Sequence, residues 1–120
     1  MKLILSAVLL LSGVAFADLA PLKTTEVRLS ILTNDQGLTV YTYDKDTAGV
    51  SNCYNGCARA WPPVLAPSGD LRAPLSAITR KDGSRQIAYK GQPLYLYAED
   101  SAPGDITGDG VGNVWHVVHP

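Results

Sequence analysis

The 120-residue chain is predicted to be mainly β, one small domain built from two pseudo-repeats with long loops and at most short helical turns. Three observations predict this. "VYTYDKDTA" at residues 40–48 returns as "LYLYAEDSA" at residues 94–102, an offset of 54. At the same offset Gly37 matches Gly91, Gly56 matches Gly110 and Trp61 matches Trp115, which are the two tryptophans of the chain. Between these matches run short apolar stretches punctuated by Gly, Asn and Asp, the grammar of strands joined by tight turns.

The elements follow in order. Lys2 precedes an uncharged apolar run, Leu3 to Phe16, and Ala15-Phe16-Ala17 has the small-x-small form of a cleavage site. This predicts a secretory signal peptide over residues 1–17. The run is short of the roughly 20 apolar residues that span a bilayer, and no cysteine stands at the cleavage site to take a lipid. The expected product begins at Asp18, without a membrane anchor. Residues 18–26, "DLAPLKTTE", are expected as a linker. The β domain is expected over 27–120, with repeat one at about 27–66 and repeat two at about 77–120.

Within the domain, "EVRLSILTNDQGLTVYTYD" predicts a hairpin turning at Asn34-Asp35-Gln36-Gly37. "NGCARAW" predicts one helical turn, stopped by Pro62-Pro63 because proline has no N–H to continue it. "VLAPSGDLRAP" reads as loop. "AITRKDGSRQIAYKGQPLYLYAE" predicts a three-stranded meander with turns at Lys81–Ser84 and Lys90-Gly91, and "NVWHVV" a terminal strand. In each unit a Tyr-x-Tyr strand is followed by a turn, an irregular excursion and a returning Trp.

Ten Lys and Arg face eleven Asp and Glu. Removing residues 1–17 takes away Lys2 and no acid, leaving nine against eleven. A protein this near neutrality, without a basic patch, is not built for nucleic acid or anionic membrane.

The doubled Tyr-x-Tyr-x-x-Asp (Tyr41, Tyr43, Asp46 and Tyr95, Tyr97, Asp100), "SNCYNGCARAWPP", "RKDGSRQIAYKGQPLYLY" and "GDGVGNVWHVV" resemble the bacterial secreted repeat of unknown function. That family is also described as predicted lipoproteins with a Yx(FWY)xxD motif. The resemblance runs from about Gly37 to Pro120 and implies export and duplication, but no activity. This protein departs from it in having no lipidation cysteine.

Three groups of residues are candidate sites. Cys53 and Cys57, the only cysteines, are expected to pair as a disulfide because an exported protein meets an oxidising compartment. The alternatives are a redox pair, for which the spacing is one residue longer than Cys-x-x-Cys, and a metal site completed by His116 and His119. The loop from Asp105 partly matches a calcium loop, with Asp105, Thr107 and Asp109 as possible ligands, but the terminal Glu is missing and calcium would be weak. The paired tyrosines with Trp61 and Trp115 read as buried rings whose hydroxyls reach Asp46 and Asp100, or else as an exposed aromatic platform.

No nucleophile, zinc-protease or phosphate-loop pattern is present. The expected function is a non-enzymatic exported module, periplasmic or secreted, that binds an unidentified envelope component or serves a structural role. No cofactor is expected. The alternative is a metal- or redox-linked envelope protein using Cys53 and Cys57 or the Asp105–Asp109 loop. Intact-mass measurement of the exported protein is expected to show loss of residues 1–17 and no acyl group; a retained amino terminus would contradict the signal-peptide assignment.

Overall fold

Two copies of one strand–turn–strand unit, each closing on the other, account for the architecture. A computed structural model describes residues 19–26 and 30–120. The expected signal peptide, residues 1–17, and residues 27–29 at the start of the expected first repeat lie outside the described residues. The strands are β1 (Lys23–Glu26), β2 (Ser30–Thr33), β3 (Tyr41–Tyr43), β4 (Leu75–Thr79), β5 (Arg85–Tyr89), β6 (Gln92–Pro93) and β7 (Trp115–Val117). A single helical turn, α1 (Gly56–Ala60), follows the first cysteine, and a 3-10 turn covers Val111–Asn113. All strand pairs are antiparallel: β1 with β2, β3 with β7, and β4-β5-β6 as a meander.

The two units open alike. Ala20-Pro21-Leu22 and Ala73-Pro74-Leu75 each make a turn in which the leucine N–H bonds back three residues. Leu22 N reaches Leu19 O at 2.6 Å, and Leu75 N reaches Arg72 O at 2.9 Å. Both leucines are buried in one apolar core with Leu32, Val40, Val64, Ile87, Leu94 and Val118. β1 then pairs with β2 as β4 pairs with β5. The expected linker over 18–26 is thus corrected: β1 is an integral strand, and Leu19 and Leu22 help close the core. Burying those leucines is what holds the segment, since each removes apolar surface from water.

The turns absorb small differences in length. In the first unit Asn34–Gly37 reverses the direction of the backbone, with Gly37 N bonded to Asn34 O at 3.0 Å and the Asn34 carboxamide oxygen accepting from the Gln36 and Leu38 N–H groups. In the second, Lys90-Gly91 does so in two residues, both at positive φ (51° and 83°), which suits the twist of a tight hairpin. α1 ends at Ala60, with Trp61 as its cap immediately before Pro62, as expected.

The closing stretch of each unit is bonded to the strands of the other. Leu32 N donates to Val118 O at 2.9 Å, and in the matching place Ile87 N donates to Val64 O at 2.8 Å. β7, which begins at Trp115, pairs with β3 of the first unit, while Pro63, after Trp61, bridges Tyr95 of the second. Neither unit therefore satisfies its own backbone, and the two fold as one body.

Leu22→Ala is expected to cost about 2–5 kcal/mol, as is Leu75→Ala, because both leave cavities in the shared core. Denaturant melts of the two variants check this; a Leu22→Ala variant as stable as the parent would return residues 18–26 to the status of a linker.

Candidate functional site

Tyr41 and Tyr95 lie opposite one another across the junction of the two units. Their backbones exchange both hydrogen bonds, Tyr41 N to Tyr95 O at 2.8 Å and Tyr95 N to Tyr41 O at 2.9 Å. Two equivalent residues paired in this way mark a pseudo-twofold axis, and the side chains around them obey it. The Tyr41 hydroxyl donates to Asp100 Oδ2 at 2.6 Å, and the Tyr95 hydroxyl donates to Asp46 Oδ2 at 2.7 Å. Each Tyr-x-Tyr-x-x-Asp run thus gives its tyrosine to the other unit's aspartate.

Alternation along the strand turns Tyr41 and Tyr43 to one face, and likewise Tyr95 and Tyr97. There they meet the returning tryptophans. Trp61 and Trp115 stack with centroids 3.8 Å apart and planes 3° from parallel. Tyr97 continues the stack beyond Trp61 at 4.0 Å, and Tyr43 continues it beyond Trp115 at 4.2 Å. Tyr41 meets Trp61 edge-on at 5.4 Å, and Tyr95 meets Trp115 edge-on at 5.2 Å. Trp61 and Trp115 are each 5% exposed, while Tyr41 and Tyr95 are fully buried. Edge-on and stacked pairs each add about 0.5–1.5 kcal/mol beyond the area they bury.

Burial sets the ionisation of this cluster. Desolvation first, then the hydrogen bond to Asp100, pushes the Tyr41 phenol far above its ordinary range. Tyr95 is raised as well, mainly by desolvation, with the Asp46 bond adding to it and the Ser51 bond opposing it. Asp46 is raised by its own burial, against the lowering effects of the Asn52 N–H, the Tyr95 hydroxyl and the Arg80 charge.

Behind Tyr95 stands a polar relay for which sequence reasoning had no signal. Arg80, 5% exposed, donates through Nη1 to Gln86 Oε1 at 2.8 Å and to Ser51 Oγ at 3.0 Å, and through Nη2 to Cys53 O at 2.7 Å. Its guanidinium also lies 4.3 Å from the centre of the Tyr54 ring. Ser51 Oγ is 2.6 Å from the Tyr95 hydroxyl. Since Tyr95 gives its proton to Asp46, Ser51 donates to Tyr95. The order is Arg80 to Ser51 to Tyr95 to Asp46, a buried cation linked to a half-buried carboxylate through two hydroxyls. In the sequence Arg80 sits in "TRKDGS", where it reads as an ordinary turn charge.

The excursions between Asp and Trp differ in the two units. In the first, Cys53 and Cys57 are joined as a disulfide, with Cys53 fully buried in the aromatic cluster. Closing so short a loop contributes about 2 kcal/mol on the entropic account of loop closure. In the second, Gly108 lies against the rings. A Cβ there would stand 2.8 Å from Trp61 Cη2 and 2.9 Å from Tyr41 Cζ, so no larger residue fits without movement. Gly108 N donates to the Tyr41 hydroxyl at 3.2 Å, and the Thr107 hydroxyl and N–H both donate to Asp100 Oδ1.

Asp105, Thr107 and Asp109 are committed to different partners. Asp105 Oδ2 accepts from the Ser101 N–H and hydroxyl and from Ala102 N, which holds its carboxyl below the usual aspartate range. Asp109 Oδ1 accepts from Val117 N at 3.0 Å. His116 pairs with Asp44 at 2.8 Å on the surface, and His119 Nδ1 lies 3.1 Å from Ser30 O. Among the described residues no group of three or more His, Cys, Asp or Glu side chains is gathered as a metal site, and no helix is long and apolar enough to cross a membrane.

Asp46→Asn is expected to destabilise the fold by about 1–3 kcal/mol at neutral pH. An amide nitrogen would donate to the Tyr95 oxygen, turn the Tyr95 proton onto Ser51 and leave the Ser51 proton without an acceptor. The parent carries a pH signature of the same residue. With its folded pKa raised, Asp46 contributes stability that is complete below its unfolded value and fades as pH rises through the folded one. Asp46→Asn should remove that downward slope, and chemical denaturation at a series of pH values checks both effects.

A family model described as a secreted repeat of unknown function matches the protein twice, over residues 30–65 and 76–119, two thirds of its length. No curated protein and no solved structure matches it. Each matched stretch lies within one of the two units related by the Tyr41–Tyr95 axis. The protein therefore belongs to this family of secreted repeats, carries two copies of the repeat in one disulfide-closed β domain, and is exported.

Proposed function

We propose that the protein is a non-enzymatic binding or structural module of the cell envelope, released into the periplasm or beyond after loss of a signal peptide. One observation carries the reading: the residues that repeat are engaged with each other. Tyr41, Tyr95, Asp46 and Asp100 bond reciprocally, and Trp61 and Trp115 stack on one another, so the doubled motif serves rigidity. What is offered outward is shape. An open cleft of about 470 Å³ runs beside Pro21, Pro63, Val64, Leu65 and Leu96, with Asn34 and Asp35 at its rim. Leu65 there is 62% exposed, the largest exposure among the bigger apolar side chains that are described. A rigid body with an open cleft lined by both apolar and polar groups suits a partner met in the envelope better than a reaction.

Cross-linking and capture of the full exported protein from intact envelope tests this. The parent should retain a specific partner, and Leu65→Lys, which keeps the fold, should lose it. Stoichiometric metal in the purified protein, or a disulfide that cycles with a cellular thiol donor, would replace this reading with a metal- or redox-linked one.

A further inference from the structure

We propose that Asn55 is a site of spontaneous covalent modification, converting through a succinimide to isoaspartate and aspartate with its neighbour Gly56 as the attacking group. Tyr54-Asn55-Gly56-Cys57 is a tight turn closed by Cys57 N to Tyr54 O at 3.1 Å, inside the ring made by the disulfide. Asn55 occupies the first central position at φ 55° and ψ −122°. That conformation normally belongs to glycine, and a residue bearing a Cβ is strained in it.

The ψ value matters chemically. At a tetrahedral L-residue Cβ is rotated by about a third of a turn from the backbone nitrogen, so ψ of −122° brings Cβ almost into eclipse with the nitrogen of Gly56. The Gly56 nitrogen, the Asn55 carbonyl carbon, Cα and Cβ are then close to coplanar. These are four of the five atoms of a succinimide ring, and rotation of the carboxamide about the Cα–Cβ bond brings in the fifth, Cγ. Gly56 has no side chain to hinder the attack. Asn55 is exposed, and its carboxamide makes no capping hydrogen bond that would hold it away. Arg59 adds a charge: its Nη2 lies 3.6 Å from where a Gly56 Cβ would stand. A guanidinium so placed favours loss of the amide proton and the negative oxygen that forms during attack.

The step balances with water alone. A solvent base removes the Gly56 amide proton and the nitrogen forms a bond to Asn55 Cγ. The bond from Cγ to the carboxamide nitrogen Nδ2 breaks and releases ammonia, which takes its proton from solvent. Water then opens the ring at either carbonyl. Opening at the α-carbonyl gives isoaspartate, and opening at Cγ gives aspartate. The net change is amide plus water to acid plus ammonia.

Two other sites set the contrast. Asp82-Gly83 and Asp109-Gly110 could cyclise by the same route, but the Asp82 carboxyl is bonded to the Ser84 N–H and hydroxyl, and that of Asp109 to Val117 N. Both are held by the fold, whereas Asn55 is delivered by it.

The test is to incubate the purified, disulfide-intact protein in mildly alkaline buffer, and to map peptides for the NH2-to-OH mass change and for isoaspartate by methyltransferase labelling. The folded protein is expected to convert at Asn55 at least as fast as the same protein unfolded in denaturant, with isoaspartate in the product and no label at Asp82 or Asp109. Asn55→Gln should abolish the signal, since glutamine is one methylene too long to close a five-membered ring, and Arg59→Gln should slow it several-fold. An Asn55 that stays intact in the folded protein while converting in the unfolded one overturns the proposal, as does equal labelling at the two Asp-Gly sites. An unchanged rate in Arg59→Gln removes Arg59 from it.

Discussion

The reciprocal backbone pair between Tyr41 and Tyr95 is the contact on which the other contacts depend. It joins the same position of both units, so it places the axis that relates them. Once that axis is set, the tyrosine hydroxyls can reach only across it, to Asp100 and Asp46. The tryptophans, each returning from its own excursion, meet face to face and are flanked by Tyr97 and Tyr43. A protein of this size buries a limited core. Large rings stacked at a junction supply much of that burial from few residues, and the exchanged hydrogen bonds make the junction specific rather than merely apolar.

Where the symmetry breaks, the two units solve one problem with different chemistry. Each must close an irregular loop over the ring stack. The first uses a covalent bond and a buried guanidinium, which ties the Cys53 carbonyl, Ser51 and Gln86 together. The second uses close approach: Gly108 admits the Trp61 and Tyr41 rings, and Asp100, Asp105 and Asp109 cap the backbone around it. Arg80 differs from one half of an ordinary buried ion pair. Its charge is met by neutral acceptors, with the Asp46 carboxylate two hydroxyls away, so the cost of burial is shared along a directional series of donors.

Much of this was legible in the residues. The offset of 54 named the equivalent tyrosines, aspartates and tryptophans, and turn chemistry placed the hairpins at Asn34–Gly37, Lys81–Ser84 and Lys90-Gly91. The entry strand β1 is not legible at that offset, although Ala-Pro-Leu stands at residues 20–22 and again at 73–75. Those runs are 53 apart, and a single fixed offset passes over a repeat whose turns differ in length. Arg80, Ser51 and Gln86 carry no pattern of their own. Their roles arise from elements far apart in sequence that meet only after folding.

By itself the sequence determined the duplication, the strand and turn grammar, and the residues that would be equivalent, because these are written in local spacing and residue type. Only the tertiary structure decided that the equivalent residues exchange partners across the axis, and that the four rings form one stack. It likewise decided that the acids of the Asp105 loop turn inward to cap N–H groups and that a turn arginine is buried. Each of those outcomes depends on which segment of one unit lies against which segment of the other, and local spacing carries no record of that.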